Sequence, residues 1–134
     1  MKLEKSCGAV VYKKSENGLL FLIEHMIQGH TSIPKGHVEN NETEEETALR
    51  EIKEETNLEV KLDTNFRHTI SYSPAPNIMK NVIFFVAEAT SENLINQECE
   101  VTSLEWMNYD TAYNALTFDS DKKTLKLAKE YLSK

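Results

Sequence analysis

The stretch from Gly36 to Leu58, GHVENNETEEETALREIKEETNL, constrains this chain more than any other, because it sets a turn, a capped helix and an acidic helix face in one register. Thr43, followed three residues later by Glu46, forms a capping-box pair and predicts a helix start there. Glu44, Glu45 and Glu46 fall in the first turn, where negative charge complements the exposed N–H dipoles. Ala48, Leu49, Ile52 and Thr56 recur at helical spacing and predict a core-facing stripe. Asn57 tolerates the left-handed backbone that ends a helix, and Leu58 offers the apolar contact that often follows such a cap. Glu51, Glu54 and Glu55, spaced i, i+3, i+4, share an adjacent face.

Like charges at that spacing repel, and Arg50 and Lys53 alone cannot neutralise them. A glutamate-rich stretch is by default a solvated acidic face. The register of Gly36, Arg50 and the cap positions tips the reading toward a site for a hard divalent cation, which takes oxygen ligands and suits substrate phosphates. The skeleton Gly36, Glu42, Arg50-Glu51-Ile52, Glu54-Glu55, Asn57-Leu58 resembles the Nudix box, the signature of hydrolases that cleave diphosphates linked to another moiety. Asn57 stands where that family usually has glycine, a mild departure given its tolerance of the left-handed region.

The resemblance implies an α/β fold, an α/β/α sandwich with a mixed sheet. It implies Mg²⁺ or Mn²⁺ held by Glu51, Glu54, Glu55 and the Gly36 carbonyl. Glu100, six residues before Trp106 in the arrangement Glu-Val-x-x-Leu-x-Trp, matches a further family glutamate that serves as metal ligand or general base. Glu54 is the other candidate base, and Arg50 is expected to fix a neighbouring carboxylate, Glu42 or Glu54.

Composition sets outer bounds. A chain of 134 residues with 40% hydrophobic content suits one domain, residues 1–134. The net charge of −7 argues against broad electrostatic binding to nucleic acid, yet bound metal and local cations can invert the field at a site. Cys7 and Cys99 match no zinc spacing and form no disulfide framework, so both read as reduced thiols of a cytoplasmic protein. The N-terminal apolar run is too short for a signal peptide, and no segment is long enough to span a membrane.

Strands are expected at Cys7–Tyr12 and Leu19–Glu24, joined by a connection longer than a two-residue hairpin loop although Asn17-Gly18 supplies turn chemistry. Alternation of Phe66, His68, Ile70 and Tyr72 marks a half-buried strand, and Ser73–Asn77 reads as a loop. The run Val82–Ala87 marks a central strand, and Leu104–Met107 a short one. Asp110 is expected to cap a helix through Leu116, and Asp119 or Ser120 a last one with Leu125, Ala128, Tyr131 and Leu132 inward. Trp106 is assigned to the core, and His25, His30 and His68 to structural roles.

Within the family, Cys7-Gly8-Ala9-Val10, Pro34-Lys35-Gly36-His37, Lys80-Asn81-Val82 and Thr117-Phe118 resemble the asymmetrical diadenosine tetraphosphate hydrolases. That likeness implies that Lys35, His37 and Lys80 contact polyphosphate and that Tyr72 and Phe118 stack on adenine. From the residues alone, Lys35 and Lys80 can equally be surface lysines, Tyr72 a core residue and Phe118 a plug over the sheet. The expected reaction is attack of water at phosphorus, giving ATP and AMP. Alternatives are cleavage of RNA 5′-triphosphate ends or nucleoside triphosphates, and, in another class, a non-catalytic nucleotide sensor. The expected partner is a small nucleotide, or an RNA 5′ end, with no DNA or membrane, and the chain is a monomer or weak dimer.

Overall fold

Burial along the central strands decides the architecture. In the computed structural model, which describes residues 1–134, successive side chains of the apolar run point to opposite faces of a sheet. Val82, Phe84 and Val86 join one core with Val10, Phe21, Ile23, Leu125 and Ala128. Ile83, Phe85 and Ala87 join a second core with Cys7, Ala9, Val11, Leu22, Ala48 and Ile52. A strand that is apolar on both sides needs a layer on each side. The result is the expected α/β/α sandwich.

The elements run β1 (Lys2–Ser15), β2 (Gly18–Met26), β3 (Thr31–Ser32), β4 (Lys35–His37), α1 (Glu44–Thr56), β5 (Val60–Ala75), β6 (Ile78–Ala89), β7 (Val101–Met107), α2 (Tyr109–Ala115) and α3 (Asp119–Leu132). The sheet orders as β3-β2-β1-β6-β5, with β4 on β1 and β7 on β2. It is mixed, because β1 and β6 are parallel while the other pairs are antiparallel. Helix α1 covers one face; α2 and α3 cover the other through Ala112, Leu125 and Ala128. No helix is long and apolar enough to cross a membrane.

One irregularity positions the site. Strands β1 and β2 pair from Ser15↔Gly18 to Tyr12↔Phe21, then part. Into the fork come β3, paired with Glu24 and His25, and β4, paired with Ser6–Gly8. The Pro34 carbonyl accepts from the Ala9 N–H at 3.2 Å. A Cβ on Gly8 would overlap that carbonyl, so only glycine lets the loop lie this close to the strand.

Several local expectations are corrected. The β1–β2 connection is only Glu16-Asn17, because polar residues extend the ladder past the core to Gly18, where φ is +114° and Ser15 Oγ donates to the Gly18 carbonyl at 2.6 Å. Ser73–Ala75 is strand, not loop. The Ser73 hydroxyl supports the bulge there through contacts of 2.8 Å and 2.7 Å to the Ala75 and Ile78 carbonyls, and the turn narrows to Pro76-Asn77. Asn108, not Asp110, caps α2, its side chain accepting from the Thr111 N–H at 2.9 Å. Phe118 occupies the N-cap position of α3 without a side-chain bond, and Asp119 and Ser120 are already helical.

The capping box at Thr43 and Glu46 and the left-handed cap at Asn57, φ 67°, form as expected. Leu49 does not join the stripe. Helix α1 is rolled so that Thr47, Ala48, Ile52, Glu55 and Thr56 are buried, leaving Leu49 42% exposed. Contacts of Arg50 and Glu51 with β4 pull the helix that way. Trp106 is half-buried against the second core, with the Lys13 ammonium 4.6 Å from its ring centroid.

The roll has a measurable consequence. Ile52→Ala should lower the unfolding free energy by about 2–5 kcal/mol in urea titration, whereas Leu49→Ala should change it by no more than about 0.5 kcal/mol. Equal losses at both positions would contradict the orientation of α1.

Candidate active site

A single guanidinium organises the acidic face of α1. Arg50 donates to both Glu42 oxygens, Nε at 2.7 Å and Nη2 at 3.0 Å. Nη1 reaches Glu51 at 2.9 Å and Glu54 at 3.0 Å, and Nη2 reaches the His37 carbonyl at 2.9 Å. Glu39 lies 3.1 Å from the same group. Both expected partners, Glu42 and Glu54, are therefore held at once, which needs the planar fork of arginine. Those bonds, with the Glu39 N–H, hold the Glu42 carboxyl down at about 2. Glu44 is likewise held at about 2, chiefly by Arg67 and then by Lys5.

The carboxylates on the inner side of α1 meet β4 and β2. A Cβ on Gly36 would overlap the Glu51 carboxyl group, so glycine is what leaves room for that group against β4. Burial raises the pKa of Glu51. Glu55 is buried and accepts from the Lys35 N–H at 3.3 Å. Beside it, on β2, stands Glu24, 1% exposed, its Oε2 without any hydrogen-bond partner. Burial, and for Glu55 also the neighbouring Glu24 charge, push both carboxyls strongly upward, so the pair retains a proton. Glu24 is a residue that sequence reasoning missed. Alternation with Leu22 places it on the α1 side of the sheet, and that was the available signal.

These groups fit a hard divalent cation. The donors are all oxygen, the Gly36–Glu51 cradle tolerates no Cβ, and an orphaned buried carboxylate oxygen lies behind Glu55. No group of three His, Cys, Asp or Glu side chains closes into a metal-holding cluster in this conformation.

Next to the acids lies a cleft of about 580 Å³, bordered by Ser6, Lys35, Gly36, His37, Glu55, Lys80 and Glu100, with Tyr72 and Phe118 at its edge. The β5–β6 register makes Tyr72 and Lys80 direct neighbours. Burial, then the charge of Lys35, lower the pKa of Lys80. Two cations facing one cleft attract an anion. The Ser6 hydroxyl, buried and unpartnered, lies along the same wall. Arg50, Glu51 and Glu54 do not border the cleft; they flank it on α1, and Glu54 keeps a side chain 43% exposed.

Adjacent to this cleft, and sharing His30, Lys35, Tyr72 and Phe118 with it, is a smaller, more apolar cavity of about 220 Å³. Tyr72 and Phe118, 44% and 50% exposed, stand at it instead of filling the core. His30, which the sequence left structural, lines both spaces and packs on Phe118 with ring centroids 5.6 Å apart. His25 bridges Thr31 and Glu105, and His68 meets Thr124, all away from the cleft. Cys7 is buried and Cys99 exposed, and both are free.

The NUDIX domain profile matches residues 2–128. The asymmetrical bis(5′-nucleosyl)-tetraphosphatase of Mus musculus is 31% identical over 96% of this chain and 95% of its own length. The Rattus norvegicus counterpart gives the same 31% identity and coverage. Among solved structures, a binary complex of the C. elegans Ap4A hydrolase superposes with a TM-score of 0.88, covering 97% of this chain and 98% of that one at 24% identity.

The two sets of carboxyls make opposite predictions about pH. Unfolded glutamates titrate near about 4.3. Glu42 and Glu44 titrate lower in the fold, so their stabilisation is complete above that value and drains as pH falls toward about 2. Glu24 and Glu55 titrate higher in the fold, so theirs is complete below about 4.3 and is lost as pH rises toward and beyond neutrality. With a chelator present, Tm should therefore rise on acidification from about pH 8 to 5 and fall again below about pH 4. Glu24→Gln should shrink the first limb, because burial alone still raises Glu55, and leave the second; a first limb as large as in the wild type would refute the coupling of the two carboxyls.

Proposed function

The chain belongs to the Nudix family and is a Nudix hydrolase, and from that premise we propose that it cleaves diadenosine tetraphosphate asymmetrically, giving ATP and AMP. The observation that carries the reading is the adjacency of the two spaces, which share His30, Lys35, Tyr72 and Phe118 in their walls. An apolar cavity flanked by Tyr72 and Phe118 adjoins a cleft bearing Lys35, His37 and Lys80 beside carboxylates. A base, then a run of phosphates, then a hydrolytic centre fits that sequence of surfaces. The 31% identity to the mouse tetraphosphatase over nearly the whole of both chains supports the same substrate.

In this reading Lys35, His37 and Lys80 hold the polyphosphate, and Tyr72 and Phe118 stack on one adenine. Divalent metal dependence is typical of the family. Glu51, Glu54, Glu55, Glu100 and the Gly36 carbonyl would hold Mg²⁺ or Mn²⁺, which supplies charge neutralisation at the reacting phosphate. Arg50 draws Glu51 and Glu54 together on one nitrogen, Nη1, while its Nη2 is tied to the His37 carbonyl of β4. A glutamate takes the proton of the attacking water, and Glu54 and Glu100 are the two candidates. Glu100 borders the cleft and Glu54 is bound to Arg50, so the two differ in access as the chain stands. Residues 1–134 act as one domain, as a monomer or weak dimer, in the cytoplasm.

Hydrolysis of diadenosine tetraphosphate with Mg²⁺ in ¹⁸O-labelled water tests the substrate. ATP plus AMP, with label in AMP, is expected. Two ADP molecules would refute asymmetrical cleavage. No turnover on this compound, with cleavage of a 5′-triphosphorylated RNA or a nucleoside triphosphate, would move the substrate to those classes, and tight nucleotide binding without any product would make the chain a sensor. Glu54→Gln should lower kcat by at least about 100-fold, the scale of general acid–base catalysis, with little change in Tm. Near wild-type turnover would remove Glu54, and the same comparison at Glu100→Gln identifies the base.

A further inference from the structure

Glu100 reaches the cleft from a stretch with no regular structure of its own. Between β6 and β7, residues 90–97 belong to no helix or strand. Leu94 gives the stretch an apolar anchor on the second core, and its course is otherwise set by bonds to the end of α1. The Ile95 N–H donates to the Thr56 carbonyl at 3.1 Å, and the Gln97 N–H to the Glu55 carbonyl at 3.3 Å. The Gln97 carbonyl in turn accepts from the Glu100 N–H at 3.0 Å and from the Val101 N–H at 2.8 Å. Backbone bonds therefore run from Glu55 through Gln97 to Glu100, and Glu55 and Glu100 border one cleft. On the far side the Glu100 carbonyl accepts from the Ile27 N–H at 2.9 Å.

Two asparagine side chains close this strap. Asn57, the cap residue of α1, donates from Nδ2 to the Asn93 carbonyl at 2.9 Å. Asn96 donates from Nδ2 to the Val101 carbonyl at 2.7 Å and reaches the Thr102 carbonyl at 3.4 Å. Between Met26↔Val101 and His25↔Ser103 the β2–β7 ladder carries one extra residue, Thr102. A bulge of this kind bends its strand and re-aims the side chains beside it. The Asn96 amide serves the carbonyls at that bulge, one residue after Glu100. Carbonyls only accept, so an amide nitrogen suits both places and a carboxylate would not. Glycine at position 57 would adopt the left-handed backbone as readily but could not bond to Asn93. We propose that Asn57 and Asn96 are positioning residues, whose side chains fasten segment 93–100 at its two ends and so hold the Glu100 carboxylate at the hydrolytic centre. The proposal rests on the reading above in which Glu100 serves that centre. Irregular surface segments open locally far more easily than core strands, and locks at both ends restrict that opening.

Amide hydrogen exchange of the metal-free chain in EDTA tests the strap apart from catalysis. In Asn57→Gly and Asn96→Ala the Gln97, Glu100 and Val101 amides should exchange about 2- to 10-fold faster, the range of one lost hydrogen bond. The Ile52 amide, in the middle of α1, should keep its wild-type rate. With Mg²⁺ and diadenosine tetraphosphate, Asn96→Ala should lower kcat by about 10-fold or more, the scale of a displaced catalytic group, and leave KM within about twofold. Asn57→Gly should lower kcat by less. Neither change should lower kcat further in a Glu100→Gln background, whereas a bond that is merely structural would add its own loss there. Unchanged exchange at Glu100 and Val101 in both variants, or kcat losses that add fully to that of Glu100→Gln, would overturn the proposal. Full activity in Glu100→Gln would overturn it too, since the strap would then have no working group to place, and release of ATP and AMP by that variant would leave the substrate reading intact. If the wild-type chain does not cleave the dinucleotide, the substrate reading alone fails, and the same cycle on the nucleotide it does cleave decides the role of the two asparagines. If Asn96→Ala does not fold, Asn57→Gly carries both comparisons.

Discussion

Arg50 sets one delocalised cation among Glu39, Glu42, Glu51 and Glu54, and the acidic side of α1 depends on it. Without that charge, glutamates crowded on one helix and the preceding loop would repel, and the loop from β4 into α1 would lose the tie between Glu42 and the helix. The fork also touches the His37 carbonyl, so one side chain fastens helix, loop and strand together. Much of it is withdrawn from water, its side chain being 24% exposed, which makes these contacts weightier than ordinary surface ion pairs. A lysine offers a point charge and lacks the geometry to hold two carboxylates and a carbonyl in plane.

Against that fixed helix the sheet presents an opening. Because β1 and β2 part beyond Tyr12 and Phe21, β4 can lie along β1 with Gly36 next to Glu51. Two glycines act here for the same steric reason at two surfaces: Gly8 admits the Pro34 carbonyl, and Gly36 admits a carboxyl group. The buried Glu24–Glu55 pair then occupies the seam between β2 and α1, where an apolar pair would pack more cheaply. Retention of two carboxyls at such a place is what a site for cations or protons requires and a purely structural core does not.

What the sequence made legible was mostly local. The capping box at Thr43 and Glu46 and the left-handed Asn57 depend on a few neighbouring residues, and each formed as the local chemistry dictates. The double-sided burial of Val82–Ala87 followed from its unbroken apolar run. The helix bearing the acids formed where the pattern put it, and Lys35, His37 and Lys80, which the family likeness singled out, border one cleft. What escaped needed tertiary information. The roll of α1 that exposes Leu49 is set by Arg50 and Glu51 contacts from outside the helix. The strand through Ser73-Pro74-Ala75 relies on a serine hydroxyl bonded across the hairpin, which proline content alone argued against. Glu24 and Asp121 read as unremarkable acids until packing shows them buried, and His30 gains its neighbour Phe118 from a distant segment.

Tyr72 and Lys80 sit opposite one another in the β5–β6 ladder. Directly opposed residues keep their Cβ atoms about 4.5–5.5 Å apart, and that spacing belongs to the backbone, not to any flexible loop. The sheet therefore behaves as a ruler with an aromatic mark and a cationic mark engraved on neighbouring strands. An aromatic face and a cation thus leave the sheet side by side at the edge of one cleft, anchored by the ladder and not by a loop.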